Sequence, residues 1–225
     1  MTIDVRVASD RPVTREDGRT TAHSFSFGAH YDADNVGFGL LTAHNDDRLE
    51  PGAGYPEHQH SDVEIVTVVL EGALRHTDSD GHSAVLLPGE ISCTTTGSGF
   101  AHAEVSEPEV ATRFVQAWLR PDETGGEPAY AVARVGRPWD LAEVVGPDGV
   151  LGIGATGARL FLATPVPGAL VLPEAHLLHV FLADGRAMLG ERELGAGDTA
   201  RLTDEGGRRL VVESSAVLLV WAFDR

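Results

Sequence analysis

The chain has little cysteine and little positive charge. Cys93 is its only cysteine, so no internal disulfide can form, and 17 lysine and arginine residues stand against 34 aspartate and glutamate residues. The resulting net charge of −17 would repel a nucleic-acid backbone, which binding proteins neutralise with clustered cations. We therefore expect no direct nucleic-acid partner.

Long hydrophobic runs are also missing. No stretch of about eighteen consecutive apolar residues occurs, so no helix is expected to span a bilayer. The first residues lack a basic segment followed by an apolar one, which argues against a secretory signal. Together with the single cysteine, these absences predict a cytoplasmic protein with no membrane partner.

Glycine and proline are abundant instead, with 26 and 12 residues. They separate short stretches rich in Val, Leu, Ile and Thr, as at the turn signals Asp80-Gly81 and Pro88-Gly89. The stretches predict the strands Glu64–Leu70, Ala84–Leu87, Ala111–Leu119, Leu160–Ala163, His179–Leu182, Leu210–Val212 and Ala216–Phe223. Trp139–Val145 is the best candidate for a short helix. The pattern predicts an all-β fold, an antiparallel sandwich or barrel with few short helices.

A faint internal repeat divides the chain. The segment after Pro56-Glu57-His58 and the segment after Pro173-Glu174-Ala175-His176 both run strand, Gly turn, strand, Gly turn before an acidic residue. We therefore predict two tandem β-barrels. Residues 1–125 would form a metal-binding N-terminal domain, and residues 126–225 a degenerate C-terminal domain without a metal site.

Two pairs of metal-ligating residues stand in the first half. His58 and His60 alternate in an extended segment, so their side chains point to the same side of a strand. His102 and Glu104 repeat this spacing with a nitrogen and an oxygen ligand. If the two strands face each other across a barrel, all four side chains can bind a single ion.

The donor set restricts the metal only in part. Three imidazoles and one carboxylate suit divalent iron, manganese, cobalt, nickel or copper, and they leave positions for water, oxygen or substrate. An isolated pair of alternating histidines is usually a surface feature. Two alternating ligand pairs, separated by a Gly turn, a strand and a Pro-Gly-Glu turn, indicate a metal site much more specifically.

The residues around these pairs resemble the two cupin motifs, and the finer sequence pattern resembles the pirin family of bicupins. The cupin pattern consists of Gly52, His58, His60, Glu64, Gly72, Pro88-Gly89-Glu90 and His102. The segments similar to pirins are His23–Phe27, Tyr31-Asp32, Asn35–Gly39, Asn45–Arg48, Glu64–Thr67, Leu70–His76, Asp78-Ser79 and Gly97–Gly99. This resemblance is dense over about residues 20–130.

The resemblance implies a bicupin that holds one divalent transition metal. In the pirin family the ligands are the residues matching His58, His60, His102 and Glu104. Iron is the favoured metal, and manganese, nickel, cobalt, copper and zinc stay open. Some bacterial members have quercetin 2,3-dioxygenase activity. The resemblance thus implies a dioxygenase that cleaves a flavonol-like aromatic enol with O2. In such a reaction Glu104 is the catalytic residue we expect, a metal ligand that also accepts the substrate hydroxyl proton.

Other members of the family act by contacting protein partners. A non-catalytic metal-binding regulatory protein therefore stays open as an alternative function. Under this alternative the chain would bind a protein partner or associate with itself. As an enzyme it would instead have a small aromatic substrate and O2 as partners.

The chain departs from the family pattern in both halves. Ser61 stands where family members usually have a basic residue, which would change the mouth of the pocket. In the second half, Ala175 stands near the first ligand position, and His176 and His179 are spaced to face opposite sides of a strand. We therefore expect the C-terminal half to hold no metal.

Several other residues have less specific interpretations. Glu64 is expected to lie beside the metal or to orient a neighbour more often than to bind the ion. His76 is more often a satisfied barrel histidine than a functional one, and Cys93 is expected to be a small buried hydrophobe. The remaining histidines of the first half are expected to be surface or packing residues: His23, His30 and His44.

Overall fold

The structure, a computed structural model, describes residues 1–79 and 81–224. The first twelve strands are β1 Thr2–Arg6, β2 Val13–Glu16, β3 Arg19–His23, β4 Leu41–Leu49, β5 Gly54–His60, β6 Glu64–Glu71, β7 Leu74–Asp78, β8 Ser83–Leu86, β9 Glu90–Thr95, β10 Phe100–Ser106, β11 Thr112–Leu119 and β12 Ala129–Arg134. The others are β13 Ala142–Val145, β14 Ala158–Ala163, β15 Gly168–Val171, β16 Leu177–Asp184, β17 Arg186–Leu189, β18 Arg192–Gly195, β19 Thr199–Thr203, β20 Arg209–Val212 and β21 Val217–Phe223. Within the described residues the one helix is a 3-10 turn at Ala8–Asp10.

These strands form four antiparallel sheets within the described part of the chain. A seven-stranded sheet, β12-β9-β6-β11-β4-β3-β2, faces a four-stranded sheet, β5-β10-β7-β8. A six-stranded sheet, β1-β19-β16-β21-β14-β13, faces a second four-stranded sheet, β15-β20-β17-β18. The all-β bicupin prediction is confirmed, with each half built as a sandwich of two sheets.

Apolar cores fill the spaces between the sheets. The central core lies between the seven-stranded and six-stranded sheets and includes Val115 from the first and Trp221 from the second. The C-terminal core, which includes Leu202, lies within the second sandwich. The N-terminal core is smaller and consists of Leu49, Val69, Leu74, Leu86 and Phe114. Polar residues occupy the rest of that N-terminal interior.

Side chains alternate along β11, so this one strand contributes to the cores on both sides of the seven-stranded sheet. Val115 and Ala117 belong to the central core, whereas Phe114 belongs to the N-terminal core. Successive side chains of a strand point to opposite faces, so Gln116 and Trp118 share the face of Phe114. The strand therefore places an amide and an indole inside the N-terminal sandwich.

The two halves exchange strands. β1 pairs with β19 of the six-stranded sheet, with Thr2 opposite Thr203, and β12 pairs with β9 of the seven-stranded sheet, with Ala129 opposite Thr95. Each half thus contributes one strand to a sheet of the other half: β1 joins the six-stranded sheet, and β12 joins the seven-stranded sheet. The domain boundary between residues 125 and 126 stays a prediction.

A buried ion pair also connects the halves. Arg113 donates from Nε and Nη2 to the two carboxylate oxygens of Asp46, at 2.9 and 2.8 Å. Nη2 donates in addition to Ala183 O on β16, at 2.8 Å. Both charged side chains are less than a tenth exposed. The pair therefore lies at the seam where β16 packs against the seven-stranded sheet.

The seven predicted strands are all present, but the predicted helix is wrong. Ala142–Val145 forms strand β13, which pairs with β14, and Val144 and Val145 are buried in the central core. Two adjacent β-branched residues lower helix propensity and suit a pleated, buried surface. Tertiary packing thus decided the conformation of this short segment.

Within the described residues, no helix has the length and apolar character needed to cross a membrane. The structure does not test two of the sequence predictions. The cytoplasmic location stays a prediction. The turn signal at Asp80-Gly81 lies partly outside the described residues.

Candidate metal centre

The two predicted ligand pairs lie on neighbouring strands of one four-stranded sheet. β5 carries His58 and His60, β10 carries His102 and Glu104, and His102 lies opposite His58 in the antiparallel register. The expectation of two strands facing each other across a barrel is wrong, because these strands hydrogen-bond directly. Neighbouring strands lie about 4.8 Å apart, so side chains on their shared face can reach the same ion.

A β-bulge sets the position of Glu104 relative to the histidines. The register shifts between His102 and Glu104, so that Glu104 lies opposite Tyr55 and β5 contains an extra residue. Pro56 lies in this part of β5 and has no N–H to donate, which interrupts the ladder there. The bulge therefore follows from the proline.

Three imidazoles converge on the face of this sheet. The ring centroids lie 4.7 Å apart for His58 and His60, 4.6 Å for His58 and His102, and 5.1 Å for His60 and His102. One ligand nitrogen of each ring lies within 4.8 Å of the other two. Because His102 is buried while the other two are half-buried, the group can be approached from the side of β5.

The protonation of these rings leaves lone pairs free for a metal. His58 Nδ1 lies 2.8 Å from Pro56 O, and a carbonyl can only accept, so Nδ1 donates this hydrogen bond and Nε2 is the ring nitrogen left for a metal. Burial lowers the pKa of His60 to about 4 and that of His102 to about 3, so both are neutral at pH 7. His60 Nε2 and both ring nitrogens of His102 are buried without a hydrogen-bond partner among the described residues. A metal ion would satisfy His60 Nε2 and one of the two nitrogens of His102.

Glu104 lies beside His102 and is held by the facing sheet. Gln116 Nε2 donates to both carboxylate oxygens, at 3.0 and 2.8 Å, and Thr67 Oγ1 lies 3.5 Å from Oε1. Burial raises the pKa of Glu104 to about 7. A cation bound nearby would favour the ionised carboxylate and offset this effect of burial.

Ligand-atom distances divide these residues into two groups that share one histidine. The first is His58, His60 and His102, and the second is His76, His102 and Glu104. In each group the ligand atoms lie within 4.8 Å of one another. Glu104 is therefore grouped with His102 and His76, and not with His58 and His60. For this reason the predicted ligand set of His58, His60, His102 and Glu104 stays a prediction.

Gln116 and Trp118 belong to the site although the sequence did not indicate them. Trp118 Nε1 donates to Gln116 Oε1 at 2.9 Å, which turns the amide NH2 group of Gln116 toward Glu104. The Trp118 ring also packs against His60, with centroids 4.9 Å apart. One signal was present, since Gln116 is a polar residue in the middle of the buried strand β11. The sequence alone could not show that Gln116 hydrogen-bonds to Glu104 on β10.

His76 is not a satisfied core histidine. It is buried, its Nε2 has no hydrogen-bond partner among the described residues, and its ring lies edge-on to His102 at 5.1 Å. The ring stacks on Tyr130 with centroids 4.0 Å apart. Tyr130 belongs to β12, so an exchanged strand completes this wall of the site.

Glu64 lies away from the metal site. Its carboxylate accepts a hydrogen bond from Thr95 Oγ1 at 2.7 Å, on the face of β6 that points to the central core. It belongs to neither ligand group of the described residues. The alternation of His58 and His60 ends with β5, because β6 is a separate strand that begins at Glu64. The expectation that Glu64 lies beside the metal is wrong.

The other residues singled out in the sequence also lie outside the site. His44 and His179 pack ring to ring in the seam between the halves, with centroids 4.6 Å apart. His23 and Cys93 are buried, and burial raises the pKa of the Cys93 thiol to about 12. His176 is near Asp204 and exposed. The packing role predicted for His44 and the buried position predicted for Cys93 are confirmed.

A buried carboxyl group supports β5 beneath the histidines. Asp47 Oδ1 accepts hydrogen bonds from Thr21 Oγ1 at 2.5 Å and from Tyr55 Oη at 2.6 Å. The Tyr55 ring in turn lies 6.1 Å from that of His58. Burial raises the pKa of Asp47 from 3.8 to about 6, although both hydroxyl donors oppose the shift.

This raised pKa predicts a pH-dependent stability. The folded protein retains the Asp47 proton after the unfolded chain has released it, so the free energy of unfolding should fall as pH rises from about 4 to about 6. In Asp47→Asn the part of this fall that Asp47 contributes, on the order of 3 kcal/mol, should disappear, while the part from the raised pKa of Glu104 remains. Urea unfolding at several pH values measures it, with Asp140→Asn on the surface as the control. An unchanged pH slope in Asp47→Asn would contradict this assignment.

Comparisons with known proteins agree with the fold and indicate the family. A sequence model of the family described as Pirin matches residues 5–119. A Mycobacterium tuberculosis protein provisionally named quercetin 2,3-dioxygenase is 41% identical over 98% of this chain and 94% of its own length. The Escherichia coli quercetin 2,3-dioxygenase is 35% identical over 65% of this chain and 64% of its own. The crystal structure of the Escherichia coli bacterial pirin YhhW in complex with nickel(II) has a TM-score of 0.92 and 26% identity, and covers 99% of both chains.

Proposed function

Because this chain belongs to the pirin family, we propose that it is a metal-dependent dioxygenase that cleaves a flavonol-like aromatic enol with O2. The observation that carries this proposal is the convergence of three imidazoles, two of them with buried unpartnered nitrogens, close to the buried carboxyl group of Glu104. Relatives named quercetin 2,3-dioxygenase support the reaction class.

We assign the metal to His58, His60, His102 and Glu104. Burial keeps His60 and His102 neutral at pH 7, which is the form that binds a metal, and His58 leaves Nε2 available because its Nδ1 faces Pro56 O. A first-row ion bound there supplies a Lewis acid for the substrate oxygen and redox chemistry with O2. Iron is the metal we propose, and the nickel(II) complex of YhhW is a reason to test nickel beside it.

The supporting residues hold the carboxylate in one orientation. Gln116 donates to both oxygens of Glu104, and Trp118 fixes the amide of Gln116 through its indole N–H. Because Trp118 also packs on His60, one strand positions both an oxygen and a nitrogen ligand. Displacement of β11 would therefore disturb both ligands together.

Glu104 is also the group we propose to accept the substrate proton. A flavonol binds a metal best after its hydroxyl proton has left, so a base must lie at the site. Burial raises the pKa of Glu104 to about 7 before a metal binds, and a bound cation would favour the ionised carboxylate, which is the form that accepts this proton. The proton would reside on Oε1 or Oε2, with Gln116 retaining its hydrogen bond to the other oxygen.

Turnover by the reconstituted protein tests this proposal. The chain should be loaded separately with Fe(II), Mn(II), Co(II), Ni(II), Cu(II) and Zn(II) and mixed with quercetin in air. We expect loss of the flavonol absorbance, with one O2 consumed for each quercetin, in at least one redox-active metal form. Chelator-treated protein and an oxygen-free sample serve as controls.

Each alternative has its own result. Tight metal binding without turnover of any flavonol would contradict the enzyme and support the non-catalytic metal-binding regulatory protein. Substrate conversion without O2 uptake would contradict the dioxygenase and indicate a non-oxidative cupin reaction.

A further inference from the structure

A separate cavity of about 260 Å³ lies at the seam between the two halves. The exchanged strand β1 forms one wall through Asp4 and Arg6, and β19 forms another through Thr199 and Arg201. Arg11 and Ser24 contribute from the N-terminal half. The cavity does not include any residue of the candidate metal centre, and its volume is below the range of about 300–1,000 Å³ that holds drug-sized ligands.

Two arginines of this cavity are buried without a carboxylate partner. Arg11 is 8% exposed and Arg201 is 6% exposed, and neither forms an ion pair within the described residues. Arg11 donates to backbone carbonyls only, among them Ala22 O at 2.6 Å. Arg113 shows the usual arrangement, since its buried charge is neutralised by Asp46.

Arg201 has unused donor capacity. Its two hydrogen bonds both come from Nη2, to Ser24 O at 2.9 Å and to Asn35 Oδ1 at 2.8 Å. Arg201 Nε and Thr199 Oγ1 are both buried without a hydrogen-bond partner among the described residues. Both side chains leave β19 on the same face, toward the N-terminal half, because Ala200 and Leu202 point into the C-terminal core. Orphaned donors of this kind indicate a missing acceptor.

Stacking explains how Arg201 tolerates burial before any ligand binds. Its guanidinium lies over the Phe25 ring, 4.4 Å from the centroid. Burial and the nearby Arg6 lower its pKa to about 10, so the group is still charged at pH 7. Among the described residues the site therefore presents a buried cation with Asp4 nearby but with no carboxylate at ion-pair distance.

The charge of the lining points to a single negative charge on the ligand. Arg6 is already paired with Asp4, and Arg11 is attracted by Asp46, Asp47 and Asp198 from outside the lining, so Arg201 is the cation left to bind a ligand. A dianion would leave the lining negative and would meet both aspartates of the lining, Asp4 and Asp10. A guanidinium with free N–H groups suits the planar oxygens of a carboxylate.

We propose that this cavity binds a small monoanionic carboxylate between the two halves of the chain. The carboxylate accepts hydrogen bonds from Arg201 and Thr199, and its charge neutralises the guanidinium. Because the walls come from β1 and from the N-terminal half, the ligand stabilises the contact between the halves. This site is independent of the metal centre and of the dioxygenase reaction.

Calorimetric titration of the full chain tests the proposal. Acetate and benzoate are titrated at constant ionic strength set with chloride, and inorganic phosphate is titrated in parallel. We expect saturable binding of a carboxylate that is tighter than that of phosphate. Arg201→Gln should weaken it roughly tenfold to a hundredfold, since it removes charge-assisted hydrogen bonds, and Thr199→Val should weaken it roughly threefold to tenfold.

Matched variants separate the site from a general effect of charge. Arg192→Gln removes an exposed arginine of β18 outside the cavity and should leave the affinity unchanged. If Arg201→Gln does not fold, the affinity of Thr199→Val decides the test, because this change keeps the shape of the side chain. The proposal is overturned by carboxylate binding no stronger than that of chloride, by tighter binding of phosphate, or by unchanged affinity in the Thr199 and Arg201 variants.

Discussion

Replacing His102 with alanine should abolish metal binding. His102 is buried and belongs to both ligand groups, so its loss leaves neither group with three ligands. Changes to residues that merely orient a ligand cost about tenfold to a hundredfold in metal affinity. Loss of a ligand should therefore cost at least about a hundredfold, and flavonol turnover should disappear with the metal. Metal content after dialysis, together with titration by Mn(II) and Ni(II), measures the effect.

His176→Ala is the matched control for this experiment. His176 is an exposed histidine near Asp204 and belongs to neither ligand group of the described residues. Its replacement should leave the metal content unchanged. His60→Ala, at a half-buried position, provides a second test if the buried substitution destabilises the fold. Full metal content in both His102→Ala and His60→Ala would refute the ligand assignment.

Replacing Asp46 with alanine should lower the free energy of unfolding by about 3–5 kcal/mol. The change leaves the Arg113 guanidinium buried and unpaired at the seam between the halves. Glu71 lies 3.7 Å from Arg113 Nη1 but is mostly exposed, so it compensates only in part. Urea unfolding at pH 7 measures the loss.

The double variant Asp46→Leu/Arg113→Met tests whether the unpaired charge causes the loss. Removing both charges should restore most of the stability, because apolar groups of similar volume need no partner. The exposed pair of Arg159 and Asp224 offers the control, where Asp224→Ala should change stability by less than about 1 kcal/mol. A loss in Asp46→Ala no larger than that control would show that the pair does not hold the halves together.

The sequence contained the ligand pairs but not their arrangement. The alternation of His58 with His60 placed both rings on one face of a strand, as observed, because side-chain direction in a strand is a local property. Whether the second pair lies opposite or alongside depends on strand pairing, which links β5 to residues 100–106. The local pattern allows both facing strands and neighbouring strands, and the prediction of facing strands was wrong.

The supporting residues could not be predicted for the same reason. Gln116 stood out as a polar residue in an apolar strand, but its contact with Glu104 depends on how two sheets pack. Glu64 was misplaced because the sequence does not show where β5 ends and β6 begins. Within the predicted helix Trp139–Val145, residues Ala142–Val145 form a strand because the partner strand β14 and the central core outweigh a weak helical pattern.

The exchange of β1 also sets an order of events during synthesis. Thr2 is opposite Thr203, so a nascent chain carries β1 as an unpaired strand until β19 has left the ribosome. The strands of the N-terminal sandwich are complete much earlier, once β12 has emerged to pair with β9. The half that contains the candidate metal centre can therefore assemble first, while β1 stays unpaired until the C-terminal sheet has formed. Closure of this pairing joins residues far apart in sequence, which makes it a slow step in refolding.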